Sequence, residues 1–343
     1  MIIGGSRFIG AWLTRRLVRA GHTVMLLNRG ESQPPFPLDA ARMTGDVDQL
    51  DAHIGAIRAA APEVVVHMLV TGAQRAWDLA RLLAGSPARA VFISSADVYR
   101  SYDFLTERDT GESIHDPLHE DAPLRRRLYP YRSEPPADAA SWRQADYDKI
   151  PAELIFREAF GARGTILRLP FVYGPGDFQH RLYDTVRRID DGRRAILIDD
   201  QLAGWRCSRG YVENVAEAIS LSVESPAAGG RIYNVGDARP LSSAAWIRTI
   251  GAQLQWPGEV VVLPRAALPE SLRPEGDFSH PLVLETSRIR RELGYREACS
   301  VADAIDRTAA WERESPPEAA AWPDPFDYAA EDAALSVSRA APE

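Results

Sequence analysis

The stretch "IIGGSRFIGAWL" (Ile2–Leu13) sets Gly4, Gly5 and Gly10 between a short apolar run and a helical pattern. Glycines at such a junction permit a tight turn and a close approach of ligand to backbone. The segment continues as "RFIGAWLTRRLVRAG", with apolar residues at helical spacing and Gly21 closing the helix. The N-terminus of that helix offers free N–H groups and a positive dipole end, which suit a pyrophosphate. Only Met1, Ile2 and Ile3 precede the first glycine, whereas a buried strand usually needs about five residues. Either this strand is short or the chain begins further upstream.

Working outward, "HTVMLLN" (22–28), "EVVVHMLV" (63–70) and "ARAVFISS" (88–95) read as buried strands. Between them, "LDAHIGAIRAAA" (50–61) and "GAQRAWDLARLLAG" (72–85) read as helices. The alternation predicts an α/β fold with a parallel, doubly wound sheet. From Val98 to about Gln144 the sequence is irregular and polar, and so long a loop is usually functional or mobile. A helix (151–161), a strand (164–174), a helix (212–223) and a strand (231–236) follow, then a further α+β portion. The expected organisation is a dinucleotide-binding domain over 1–170, rejoined by 208–237, and a smaller substrate-binding α+β portion over 171–314. The tail, 315–343, is rich in Pro, Ala and acid, with Trp322, Phe326 and Tyr328 as candidate anchors.

The net charge of −8 argues against a nucleic-acid binder, which needs a basic surface. Cys207 and Cys299 are the two cysteines, far apart and outside any metal-ligand cluster, so no metal site is expected. Such cysteine usage suits a reducing, cytoplasmic compartment. No run of about 18 apolar residues calls for a membrane.

Several motifs occur in one order. The glycine loop resembles the G-x-x-G-x-x-G loop of the extended short-chain dehydrogenase/reductases, the NAD-dependent epimerase/dehydratase family, with Arg7 replacing the second glycine. "GDVDQL" (45–50), "FISSADVYR" (92–100), "LRLPFVYGPGD" (167–177), "RGYVENVAEAI" (209–219), "IYNVGD" (232–237) and "ETSRIRRELGY" (285–295) resemble later segments of the same family. The resemblance covers about Ile2 to Tyr295. It implies a Rossmann-type sheet and a nicotinamide cofactor held by Gly4, Gly5, Ser6, Arg7, Phe8, Ile9 and Gly10. Asp46 and Val47 would meet the adenine, and Met68, Leu69 and Val70 would run beneath the cofactor. Ser94, Tyr147, Lys149, Pro170 and Val172 would surround its nicotinamide end. The second strand ends in Asn28-Arg29 rather than the carboxylate that holds a ribose 2′-OH. A carboxylate would repel a 2′-phosphate and a guanidinium pairs with it, so NADP is preferred over NAD.

For catalysis the resemblance implies Ser95 as the hydroxyl that binds a substrate oxygen and Tyr147 as the proton-exchanging phenol. Ala96 replaces one of the two acids of the sugar-nucleotide dehydratases, which argues against their mechanism, while Asp97 remains as a lone acid or base. The lysine expected four residues after Tyr147 is Pro151. Without a neighbouring ammonium, a phenol of pKa about 10 is a poor base at neutral pH. Asp148 makes a sensible N-cap, with Lys149, Ile150 and Pro151 as the first helical turn. That register permits Lys149 to replace the missing lysine, and equally permits Tyr147 to be a packing residue. His67 reads as a buried structural histidine, and "HDPLHED" (115–121) as solvated surface.

Tyr99, Phe171, His180, Trp205, Arg206 and Arg209 are the candidate substrate contacts. Phe171 stands where sugar-nucleotide members carry an Asn, and it cannot make that hydrogen bond. The expectation is an NAD(P)-dependent oxidoreductase or epimerase acting on a carbinol or carbonyl carbon of a small molecule. The alternatives are a non-redox NADP-binding sensor or scaffold, and a cofactor-assisted dehydratase or cyclase. Oligomeric state is open, a homodimer being a form that relatives often take.

Overall fold

The structure, a computed structural model, describes residues 1–31, 34–107, 109, 117–132, 145–318 and 326–340. Seven parallel strands form the main sheet: β1 (Ile2–Ile3), β2 (Met25–Asn28), β3 (Ala41–Thr44), β4 (Val64–His67), β5 (Arg89–Ser95), β6 (Gly164–Leu169) and β10 (Ile232–Asn234). Their order across it is β10-β6-β5-β4-β1-β2-β3. The strands are four to seven residues long except β1 and β10, and β1 is the two-residue strand its sequence allowed. It lies between β2 and β4, with Ile2 opposite Leu26 and Val66. The direction of winding reverses there, so a crevice opens beyond the carboxyl ends of β1 and β4.

Helices cover both faces. Helices α1 (Phe8–Arg19) and α8 (Val212–Glu224) pack together on one, with Leu13, Leu17, Val215 and Ile219 in a shared core. On the other lie α2 (Ile54–Ala60), α3 (Ala73–Leu82) and α5 (Lys149–Phe160), over Ile57, Leu79, Phe92 and Phe156. The helix expected over 50–61 begins within a 3₁₀ stretch, Val47–His53, that kinks at Gln49, and it becomes α-helical only at Ile54. The polar loop after Val98 contains a helix of its own, α4 (Arg100–Leu105).

The strand expected over 164–174 breaks at Pro170, which has no N–H to give a ladder. Beyond it, β7 (Phe171–Tyr173) leaves the main sheet and pairs in parallel with β9 (Arg209–Tyr211). The α+β portion adds α6 (Tyr183–Asp190), β8 (Ala195–Asp199), α7 (Asp200–Gly204), α9 (Ser243–Gln253), β11 (Glu259–Leu263), α10 (Ser287–Leu293) and α11 (Val301–Glu314). Strands β8 and β11 pair in parallel. In the tail, α12 (Tyr328–Ala340) docks Glu331 against Arg188 of α6 at 2.7 Å, with both side chains buried. Phe326 and Tyr328 lie in the same contact, over Arg188 and Arg193; Trp322 lies outside the described residues.

Candidate active site

The glycine loop brings strand and helix together with no room for side chains. Gly4 has φ +88°, and a Cβ on Gly10 would lie 2.4 Å from the Gly4 carbonyl oxygen. Helix α1 therefore starts directly over the end of β1, its first N–H groups facing the crevice. A cleft of about 980 Å³ fills that crevice, with Gly4, Ser6, Arg7, Asn28, Arg29 and Asp46 in its wall. Val47 and Leu69 line it as well. Asn28 accepts a hydrogen bond from Gly30 N–H at 3.0 Å, which leaves its buried Nδ2 without a partner among the described residues. Arg29 pairs with Glu31 at 3.1 Å, while the Arg7 side chain makes no hydrogen bond or ion pair among the described residues. Arg75 of α3, absent from the sequence reading, donates to the Leu69 carbonyl and pairs with Asp48 at 2.7 Å. An orphaned amide donor, the Arg7 guanidinium and helix N–H groups fit the pyrophosphate and ribose of a nicotinamide dinucleotide.

Other residues assigned to the cofactor lie beneath that wall. Gly5 packs into the strand–helix contact, facing Leu26 and Thr14. Phe8 and Val172 are buried, and Ile9 and Met68 pack against the same core. Ser94 donates to Glu153 at 2.5 Å, inside the sheet. His67 is wholly buried and accepts from Leu69 N–H at 3.1 Å; burial drives its pKa down to about 3, so it is a neutral structural residue.

A second cleft, of about 550 Å³, adjoins the first, and Thr71 lines both. Ser95, Asp97 and Tyr147 meet here, with Tyr102, Tyr131 and Phe171 around them. Tyr147 donates its phenolic proton to Asp97 Oδ2 at 2.5 Å. Asp97 Oδ1 is buried and has no partner among the described residues. Burial raises the pKa of Asp97 from its ordinary value, more than the Tyr147 hydrogen bond and the charges of Arg125 and Lys149 lower it. Burial and the adjoining carboxylate hold the Tyr147 phenol well above its ordinary pKa of 10. Ser95 Oγ accepts from Asp97 N–H at 3.3 Å, which leaves its own proton for a ligand.

The start of α5 explains the displaced lysine. Asp148 is the N-cap, accepting from Ile150 N–H at 2.9 Å, and Lys149-Ile150-Pro151 form the first turn as expected. The Asp148 carboxylate also takes Arg125 at 2.9 Å and Tyr129 N–H at 2.6 Å, with both side chains of the ion pair fully buried. Its N–H donates to the Thr71 carbonyl at 2.9 Å. Lys149 makes no hydrogen bond to the Tyr147 hydroxyl among the described residues. Its ammonium donates to the carbonyls of Val70 and Ile93, the latter at 2.9 Å, and lies 5.8 Å from the Tyr147 ring centroid. Burial lowers its pKa to about 8. Because Lys149 opens the helix, its ammonium reaches carbonyls of β5 and of the segment just beyond β4.

The candidate substrate contacts divide. Phe171 lines the second cleft. Tyr99 is fully buried, its hydroxyl shared between Asn234 at 2.7 Å and Arg168 at 3.0 Å, so it faces no ligand. Trp205 donates to the His280 carbonyl at 2.8 Å and packs edge-on to Phe171. His180 stacks on Trp311 and bonds Glu312 at 2.7 Å, away from the cleft. Arg209 donates to the Leu241 carbonyl at 3.0 Å, and Arg206 belongs to a bridge with Ser242; neither lines the cleft. Arg181, unmarked in the sequence, does reach it, already paired with Asp177 at 2.7 Å. Pro170, named for the cofactor, lines this cleft too.

Residues 1–122 and 149–236 match the NAD dependent epimerase/dehydratase family. The chain belongs to this family. It is accordingly an NAD(P)-dependent enzyme. A Streptomyces protein, 3-diazoavenalumate denitrifying reductase, is 29% identical over 322 residues, which cover 86% of this chain and 95% of that one. Among solved structures, the UDP-glucose 4-epimerase of Thermus thermophilus, in complex with NAD, superposes with a TM-score of 0.63 at 18% identity, covering 92% of this chain and 98% of that chain. The epimerase of Methanothermobacter thermautotrophicus gives 0.65 at 17% identity, covering 91% of each chain. Both share the fold of this epimerase/dehydratase member. No helix among the described residues is long and apolar enough to cross a membrane.

Proposed function

We propose that this member is a reductase that takes its hydride from NADPH and delivers it to a small molecule held against Ser95, Asp97 and Tyr147. The carrying observation is that the larger cleft, at the glycine loop, and the polar end of the second cleft meet at one residue, Thr71. The cofactor, once bound, supplies the hydride. Gly4, Ser6 and the N-terminus of α1 would hold its pyrophosphate, and Ser95 would orient the substrate with the proton it has free. The reductive direction is supported by the Streptomyces relative, whose name describes reduction of a diazo compound. NADP is supported by the Asn28 amide, unpartnered among the described residues, and by Arg7 and Arg29, all of which suit an acceptor-rich 2′-phosphate.

Incubation of the enzyme with 4-deuterated NADPH and a panel of aldehydes, ketones, quinones and aryl diazo compounds tests the reading. Deuterium should appear on a product carbon, from one face of the cofactor only. Consumption of no NADPH across that panel would refute it. NADP should bind at least tenfold more tightly than NAD, and Arg29→Glu should reverse the order.

A further inference from the structure

We infer that the second cleft recognises an aromatic ring bearing positive charge at or beside the carbon that receives the hydride. This deepens the reductase reading and rests on it. Three features of the wall carry the inference. First, aromatic faces dominate: Tyr102, Tyr131, Tyr147 and Phe171 line the cleft, and Tyr131 and Tyr147 stand 5.4 Å apart between centroids. Such rings favour a flat apolar ligand and attract a cation to their faces.

Second, Asp97, the one carboxylate of the wall among the described residues, is not neutralised by direct contact. Asp97 is 8% exposed, its Oδ2 receives only the neutral Tyr147 hydroxyl, and its Oδ1 has no partner among the described residues. The neighbouring cations are bonded elsewhere. Arg125 pairs with Asp148 and gives its other bonds to main-chain carbonyls, including that of Asp97. Lys149 acts on Asp97 through space but donates to Val70 and Ile93. Arg181, the guanidinium of the wall, is matched by Asp177. Among the described residues an anionic substrate therefore meets only cations already bonded elsewhere, whereas a cation meets a carboxylate with no ion-pair partner of its own.

Third, the wall is poor at giving protons. Tyr147 already donates to Asp97, and the Lys149 ammonium gives its hydrogen bonds to main-chain carbonyls and not to that hydroxyl. A substrate that is itself cationic needs no acid, because hydride transfer neutralises it. For an iminium, the new C–H bond takes the hydride pair and the C=N π pair moves to nitrogen, leaving a neutral amine. For an arenediazonium, the C–H bond forms with the hydride pair and the C–N pair leaves with N₂. In each the reduced nicotinamide is the sole electron donor, and no proton is required.

The test separates recognition from turnover. Binding of phenyltrimethylammonium, its neutral isostere tert-butylbenzene, and benzoate to the NADP-saturated chain would be measured by calorimetry. The ammonium should bind at least tenfold more tightly than the isostere, with benzoate weakest. Asp97→Asn should remove at least fivefold of the cation's affinity while leaving the isostere and NADP unaffected. Equal binding of cation and isostere by the wild-type chain, or tighter binding of benzoate, overturns the inference whether or not the variant folds. Turnover assays then divide the two sources, N₂ release marking the diazonium and amine formation the iminium. Deuterium transfer to neutral carbonyls alone would overturn the cation subsite and leave the reductase standing; no transfer to any substrate would defeat the reductase reading as well.

Discussion

Tyr147 shows how one residue's position can be legible while its partner is not. The order of motifs placed it beside Ser95, and both do line the same cleft. What the sequence could not show is that Asp97, fifty residues earlier, takes its proton. That contact depends on where two loops end, which no local pattern encodes. A hydrogen bond to a carboxylate contributes about 1.5–3 kcal/mol, so Tyr147→Phe should lower kcat/KM by roughly tenfold to a hundredfold. A loss far beyond that would return the phenol to the role of proton carrier. The raised pKa of Asp97 gives a second outcome. Tyr147, Arg125 and Lys149 favour its ionised form, while burial and Asp148 oppose it, and burial prevails. A cation is recognised by the ionised form, so affinity should be full above the raised pKa and fall as pH drops through it. That fall should begin above the ordinary carboxylate range, near 3.9, and calorimetry of phenyltrimethylammonium across pH would read it. Asp97→Asn should flatten the profile.

Among the elements, α5 is the one whose first turn decides the chemistry. Its N-cap was legible, because Asp148 precedes a turn that contains Pro151, and capping and proline preferences are local rules. The direction of the Lys149 ammonium was not, since it follows from carbonyls on β5 and just beyond β4 that lie far away in sequence. The break at Pro170 and the helix inside the polar loop divide in the same way. The break at Pro170 follows from a missing N–H, although the strand was expected to run through it, whereas α4 depends on tertiary contacts, such as Asp103 accepting from Arg126 N–H at 3.0 Å. Asp148→Ala would strip the cap and leave Arg125 buried without its carboxylate. Breaking such a pair costs about 3–5 kcal/mol, and the urea midpoint should fall accordingly. Asp148→Asn, which can still cap, should recover part of that loss.

For the molecule as a whole, the doubly wound sheet was legible because alternating strands and helices leave few topologies. The pairing of β7 with β9 was not, and neither was the return of the tail as α12. The contact of α12 with α6 is anchored by the buried Arg188–Glu331 pair, reinforced by Arg193 with Asp332. Glu331→Ala should therefore destabilise the chain by about 3 kcal/mol, visible in thermal unfolding, while NADP affinity, read at a distant site, stays unchanged.

Thr71 belongs to the walls of both clefts, and its carbonyl receives the N–H of Asp148, the residue next to Tyr147. Any displacement of that backbone by the cofactor would carry through this bond to Asp148, one peptide from the phenol. By reciprocity, whatever factor NADPH contributes to substrate affinity, the substrate must return to NADPH. The signature is mutual: saturating substrate should lower the Kd of the cofactor by the same factor by which the cofactor lowers that of the substrate, and calorimetry in both orders would read it.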